Sequence, residues 1–306
     1  MSSVTNSTGS FFNRSLAQMA DLRAGIERTR AQIATGRKFE RGSQDPAGAA
    51  QLRSVARREA LAAVEGDNAA RVGQDLGAAA TEVEAVTALL QRARELAVQA
   101  ASTPTGPDGR QAIAFELEQL RQELFTRANG TSLTGEPLFA GQSSGTAFTR
   151  DAAGNVTYIG TPESGAVPVA PGTSIQRGLP GNEVFEFTLN GAPSSAFAVL
   201  GGLVTALQGG APDPAAAANA ALEGIDTALD TTNRATTILG TRMAWVEQVV
   251  TQQADRKVAL AERRSRVNDT DIADAIARLQ QSLTALEASQ SAFARVSSLT
   301  LFDALR

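Results

Sequence analysis

The sequence contains no cysteine and no histidine. Without cysteine the chain cannot form disulfides, thiolate zinc sites or a cysteine nucleophile. Without histidine it lacks the commonest general base and the commonest ligand of transition metals. Catalysis by carboxylates or by lysine remains possible, but no pair of carboxylates forms a recognisable catalytic motif. We therefore predict that the chain is not an enzyme and that it holds no cofactor and no metal ion.

Three further features that the sequence lacks limit the possible classes of protein. No run of 18 apolar residues occurs, so we expect no membrane span. Basic residues do not exceed acidic ones, since the net charge is -4 and the pI about 5.2, which argues against a nucleic-acid partner. The N-terminus lacks the basic start and apolar core of a cleaved secretory signal.

Long tracts rich in Ala, Leu, Gln, Glu and Arg predict long helices. The clearest tract is 269–306, which contains no proline or glycine and continues for about ten helical turns. Its apolar residues recur at the three-four spacing of a coiled-coil seam, at Ile272, Ile276, Leu279, Leu283, Leu286 and Phe293. Such a helix needs a partner to bury its stripe.

Residues 9–35 carry a second, weaker stripe, with apolar residues seven apart at Phe12, Met19, Ile26 and Ile33. Arginines stand at other would-be seam positions. This segment is the candidate partner of the C-terminal helix, and residues 1–8 are predicted to be disordered. Periodicity alone leaves open whether the stripes pack within one chain or between chains.

Between these ends the pattern predicts long helices interrupted by one different segment. A helix is expected from about 46 to 101, with its best stripe at Val72, Leu76, Ala79, Val83, Val86, Leu90, Ala93 and Ala97. A third helix ends at Asn129-Gly130, and a long one covers about 215–267 with a three-four step through Met243 and Val250. Residues 131–214 are rich in Gly, Pro, Ser and Thr and contain β-type runs at 155–160, 165–170 and 183–189.

The fold class predicted is mainly α with an inserted small β domain, built from long antiparallel helices and a terminal N/C coiled coil that form an elongated rod. The predicted domains are the N-terminal part of the coiled coil (1–40), the first half of a helical rod domain (41–130), a β-rich outer domain (131–214), the second half of the rod domain (215–268) and the C-terminal helix of the coiled coil (269–306).

Several motifs resemble the flagellin superfamily. The stretch IATGRKFERGSQDPAGAAQL at 33–52 resembles its N-terminal motif, with Gly36 in the turn and Asp45-Pro46 at the start of the next helix. One position departs from the pattern, since Gln44 replaces the first acid of the usual Asp-Asp pair. Two further stretches resemble the members that join hook to filament, LFAG at 138–141 and SLTLFDAL at 298–305.

The resemblance implies a structural component of the bacterial flagellum that joins hook to filament as a ring of subunits. It implies type III export without a cleaved signal and an extracellular location on the flagellum. The implied partners are copies of the chain itself, a neighbouring hook-associated protein, flagellin and an export chaperone, with no nucleic acid and no membrane. The assembly interface would comprise both stripes together with Leu301 and Phe302.

Two other functions remain open at this stage. The first is flagellin itself, the filament subunit, against which Asp45-Pro46 and the ending at 298–305 weigh. The second is a helical binding rod unrelated to flagella, which explains the heptads but neither the inserted β segment nor the motifs at the two ends.

Overall fold

The computed structural model describes residues 2–102 and 106–304, and within them the side chains of residues 10, 12–102 and 106–296. In chain order the elements are α1 (Ser2–Thr35), α2 (Pro46–Ser102), α3 (Pro107–Ala128), β1 (Phe148–Arg150), β2 (Val156–Tyr158), β3 (Ala166–Ala170), β4 (Thr173–Gln176), α4 (Gly181–Phe185), β5 (Glu186–Leu189), β6 (Ala192–Ser195), α5 (Ala196–Thr205), a π-helical turn (Ala206–Gly210), α6 (Pro214–Asn268) and α7 (Ile272–Ala304). The predicted class, mainly α with a small β portion, is confirmed.

The chain divides into two compact units, and the divisions fall inside α2 and α6. The first unit consists of residues 1–60 and 257–306, and in it α1 packs antiparallel against α7. The prediction that residues 1–8 are disordered is wrong for residues 2–8, because α1 begins at Ser2. Serine, threonine and asparagine are weak helix formers, but extending an existing helix costs far less than nucleating a new one.

The second unit consists of residues 61–256. The predicted stripe of α2 lies in its core, since all eight positions from Val72 to Ala97 are buried. On α6 the predicted stripe is partly wrong, because Met243 and Val250 are exposed and Val249 is buried instead. Every seventh residue from Ile225 to Leu260 is buried, so the heptad spacing itself holds along α6. The second row of the stripe lies one position earlier than predicted, at Ala228, Ala235 and Val249.

The predicted β-rich segment contains three separate antiparallel ribbons, β1–β2, β3–β4 and β5–β6, together with helices α4 and α5. Its core is aromatic, and the ring of Phe148 lies 5.2 Å from that of Phe185, which lies 5.5 Å from that of Phe139. The strand predicted at 183–189 is partly wrong, because α4 ends at Phe185 and β5 begins only at Glu186.

Helix α5 was not predicted by the helical periodicity of the sequence. Its residues are apolar on nearly all sides and include two glycines, so it has no polar face to mark a helix. One local signal was present, since the Ser195 hydroxyl accepts a hydrogen bond from the Ala198 amide at 3.1 Å and caps the helix.

Candidate assembly interface

The site built by the two terminal stripes is the contact between α1 and α7. Met19 and Ile26 of α1 are buried, with exposed fractions of 7% and 4%. Toward the far end of the pair the rings of Phe12 and Phe293 meet edge to face, with centroids 5.2 Å apart. Ile33, Leu279, Leu283 and Leu286 are half-buried. The two predicted stripes therefore lie along one contact.

Part of the apolar surface of this pair is left uncovered. Ile272 and Ile276 are 41% and 43% exposed, and Leu16 of α1 is 52% exposed. Successive helical positions are 100° apart, which places the two isoleucines on one shoulder of the stripe. We call Ile272 and Ile276 the open shoulder of α7. The pair buries one side of the stripe and leaves the open shoulder to water.

The sequence prediction missed a row of small residues on α7 that are buried or half-buried. Ala275 is fully buried, and Ser282 and Ser289, each seven positions further on, are half-buried. Small side chains at this spacing allow a neighbouring helix to approach closely, and this row lies beside the predicted stripe of Leu279, Leu283 and Leu286. The signal was the heptad spacing of small residues, which a search for large apolar side chains overlooks.

Leu301 and Phe302, also predicted to lie in the interface, fall within α7 but outside the residues whose side chains the structure describes. Their assignment to the interface stays a prediction.

The family motif forms the capped start of α2. The Asp45 side chain accepts a hydrogen bond from the Gly48 amide at 2.8 Å, and Pro46 is the first helical residue. The neighbouring Gln44 also serves the backbone, because its side-chain oxygen accepts from the amides of Glu40 at 2.9 Å and Arg41 at 3.2 Å. Replacement of an acid at 44 thus leaves a side chain that organises the turn before the helix.

Gly48 is a second residue that the prediction missed. A Cβ atom there would lie 2.3 Å from the Asp45 carboxylate and 2.8 Å from the Phe39 ring. Only glycine fits between the cap and the aromatic ring. The sequence shows a glycine two residues after Pro46, but it does not show that the Phe39 ring lies against that glycine.

The turn after α1 pairs with the break between α6 and α7. Gly36 has a positive φ of 69°, the left-handed conformation common just after a helix end. Arg37 and Asp269 form an isolated antiparallel bridge, in which the Lys38 amide donates to the Asn268 carbonyl and the Thr270 amide donates to the Gly36 carbonyl. The N- and C-terminal halves are therefore joined by backbone as well as by side chains.

Two kinds of feature are absent from the described part of the chain. Among residues 2–102 and 106–304 there is no group of three or more acidic side chains that could hold a metal ion. Nor does any helix in those ranges combine the length and apolarity needed to cross a bilayer.

Two family descriptions match the chain at its two ends. The bacterial flagellin N-terminal helical region matches residues 7–144, and the bacterial flagellin C-terminal helical region matches residues 222–303. Together they cover most of the chain, including nearly all of the α1–α7 pair. The chain belongs to the flagellin family.

Within that family the chain is similar to flagellar hook-associated protein 3, as its motifs predicted. It is 28% identical over 294 residues to that protein of Escherichia coli K12, covering 89% of this chain and 90% of the relative. It is 24% identical over 317 residues to that of Salmonella typhimurium LT2, covering 97% and 98%. The crystal structure of Xanthomonas campestris FlgL shares the fold, with a TM-score of 0.62 and 22% identity over 69% of this chain and 99% of that one.

Proposed function

We propose that this chain is the structural subunit that joins the flagellar hook to the filament as a ring. The observation that carries the proposal is the open shoulder of α7, beside a seam whose other large apolar side chains are buried or half-buried. Large apolar side chains left half in water on an ordered helix favour a further packing partner. The names of the E. coli and Salmonella relatives add support, because both are hook-associated flagellar proteins.

In this proposal the chain has a structural role and no enzymatic one. Copies of the chain pack side by side through the α1–α7 pair, a neighbouring hook-associated protein lies on the hook side and flagellin on the filament side. The β-rich segment 131–214 faces outward. The chain reaches the flagellum by type III export with its N-terminus uncleaved, escorted by a chaperone, and acts outside the cell.

The decisive experiment is deletion of the gene in its own host, followed by electron microscopy of the cells and immunoblotting of the medium. A junction subunit predicts hooks without filaments, with flagellin lost to the medium, because the filament has no base on which to assemble. Absence of filament without such leakage would instead assign the chain as flagellin, whose family descriptions it shares. Normal filaments would exclude both and favour a binding rod.

Export is tested separately by removing residues 2–20 from the gene. We expect the shortened protein to stay inside the cell, because the proposed signal lies in this uncleaved segment. The matched control replaces the same number of residues within 131–214. In a strain whose flagella cannot incorporate the protein, this control variant should still be found in the medium. Export of the shortened protein at the normal level would refute the N-terminal signal.

A further inference from the structure

The charged residues of the chain are divided unequally between its two units. The first unit contains 17 basic and 11 acidic residues, whereas the second contains 11 basic and 21 acidic residues. The net charge is therefore +6 on the first unit and -10 on the second, although the whole chain carries only -4. Opposite charges on two parts of one chain favour contact between different parts of neighbouring copies.

The positive charge of the first unit is concentrated where α2 begins and α6 ends. Residues 46–60 of α2 and 257–268 of α6 contain seven basic and two acidic side chains. Both acidic side chains are already paired, since Glu59 lies 3.4 Å from Arg264 and Glu262 lies 3.6 Å from Arg266. Five basic side chains remain that are exposed and, among the described residues, have no acidic side chain within 4 Å: Arg53, Arg57, Arg58, Lys257 and Arg263. We call these five residues the basic band.

The stability of the helices themselves does not account for the basic band. A cation is favourable in the last turn of a helix, which explains Arg266 at the end of α6. Arg53 and Arg57 lie instead in the N-terminal part of α2, where the helix dipole gives a cation no advantage. They are also four residues apart, a spacing at which like charges on a helix repel each other. Exposed cations that repel one another favour an acidic partner in another molecule.

The second unit carries a complementary surface on α6. Glu223, Asp226 and Asp230 follow the three-four spacing that places side chains on one face of a helix, and all three are exposed. We call these three residues the acidic strip. Asp226 lies 2.6 Å from Arg94, but no basic side chain of the described residues lies within 4 Å of Glu223 or Asp230. Two carboxylates of the strip can therefore pair with cations of another molecule.

The acids of α3 are a weaker counterpart for the basic band. Glu116 and Glu123 are seven residues apart and so share one face of that helix. Glu116 lies 2.7 Å from Arg92, and Glu123 lies 3.3 Å from Arg127. Because these charges are already paired within the chain, they attract a second molecule less strongly than the acidic strip does.

We propose that the basic band of one copy docks on the acidic strip of the next copy. The inference rests on the proposed function, because it describes how copies pack against each other in the ring. The two surfaces differ, so each copy uses its basic band toward one neighbour and its acidic strip toward the other. Contacts of this head-to-tail kind form a closed ring when the rotation between copies closes. The charges select which surfaces meet, since exposed ion pairs individually add little affinity.

Charge reversal in a host strain that lacks its own copy of the gene tests the contact. R53E/R57E reverses charges of the basic band, E223R/D230R reverses charges of the acidic strip, and a fourfold variant combines them. Immunoblots of isolated flagella and of the medium measure the fraction of exported protein that is retained. We expect each double reversal to lower that fraction at least about tenfold, because like charges then face each other. The fourfold variant should restore it to within about threefold of the unaltered chain, because opposite charges face each other again.

The matched control is R53K/R57K, which keeps the positive charge at the same two positions and should be retained like the unaltered chain. Thermal unfolding of the purified variants should be unchanged, because all four altered positions are exposed. Retention of the unaltered chain on flagella tests the proposed function, whereas the comparison among variants tests the contact. The two proposals can therefore fail separately.

Four results would overturn the contact. Normal retention of both double reversals would mean that the two surfaces are solvated helix faces. Loss of retention on reversal of only one surface would assign that surface to a different protein. Loss in both without recovery in the fourfold variant would mean that the two surfaces do not meet. Loss in R53K/R57K would mean that the shape of the arginines matters and not their charge.

Discussion

The open shoulder of α7 gives the sharpest test of how this chain assembles. The change is I272D/I276D, which places two carboxylates where two half-exposed isoleucines now lie. Complete burial of an isoleucine contributes about 1.5–3 kcal/mol. Since roughly two fifths of each side chain is still in water, covering both in an assembly contributes about 2 kcal/mol in total by this scale.

Removing that contribution weakens each subunit contact by at least roughly thirtyfold, because about 1.4 kcal/mol corresponds to a factor of ten. Carboxylates forced into an apolar contact add a desolvation cost. The isolated chain should be almost unaffected, since both positions are already solvent-accessible. Residue 272 also begins α7, where a negative charge interacts favourably with the helix dipole.

The assay compares I272D/I276D with the matched control A273D/A277D, which adds the same charges in the same turns on exposed positions. Thermal unfolding followed by circular dichroism measures the purified chains, and motility together with immunoblots of isolated flagella measures assembly. We expect unchanged unfolding for both variants and loss of assembly only for I272D/I276D. Assembly by both variants, or unfolding of I272D/I276D as a monomer, would refute the assignment of the open shoulder to subunit contacts.

Two further changes test neighbouring parts of the argument. Replacing Leu279 and Leu283 by Asp should abolish assembly and motility while residues 131–214 stay folded, and motility with both replacements would contradict the coiled-coil role of α7. Replacing Gly48 by Ala should lower the free energy of unfolding by about 1–3 kcal/mol through the clash with Asp45. Gly66→Ala, in an open position of α2, should raise it by about 0.5–1 kcal/mol, and denaturant unfolding distinguishes the two signs.

The helices could be predicted from the sequence because their stripes are long and regular. The row from Val72 to Ala97 on α2 is buried without exception. On α6 the same three-four spacing predicted Met243 and Val250 in the core. Both are exposed, and Val249 is buried instead. A repeat of fixed length identifies the helix but does not fix which shoulder of it faces inward.

The interface could be predicted only in outline, for a related reason. Periodicity selected Ile276 because it is large and apolar, whereas the adjacent Ala275 is the residue that is buried. The choice between these neighbours depends on how closely α1 approaches, and that distance is a tertiary property. The bridge at Arg37 and Asp269 was likewise beyond prediction, because it joins residues 232 positions apart through backbone groups that every residue has.

The two units differ in the size of the core that each one forms by itself, and this difference predicts where contacts with other subunits would add most stability. The second unit forms a large core in which Phe139, Leu117 and Leu90 are fully enclosed, although Phe115, Leu133 and Trp245 on its surface are exposed. In the first unit α1 and α7 enclose Ala275 but leave Ile276 and Leu16 about half in water. A two-helix contact buries too little to be strongly stable on its own. Contacts with neighbouring subunits should therefore stabilise the α1–α7 pair far more than the second unit.

Hydrogen exchange tests this prediction. On assembly, protection of backbone amides should rise mainly in residues 12–35 and 272–296. An equal rise across 61–256 would show that the second unit also depends on its neighbours.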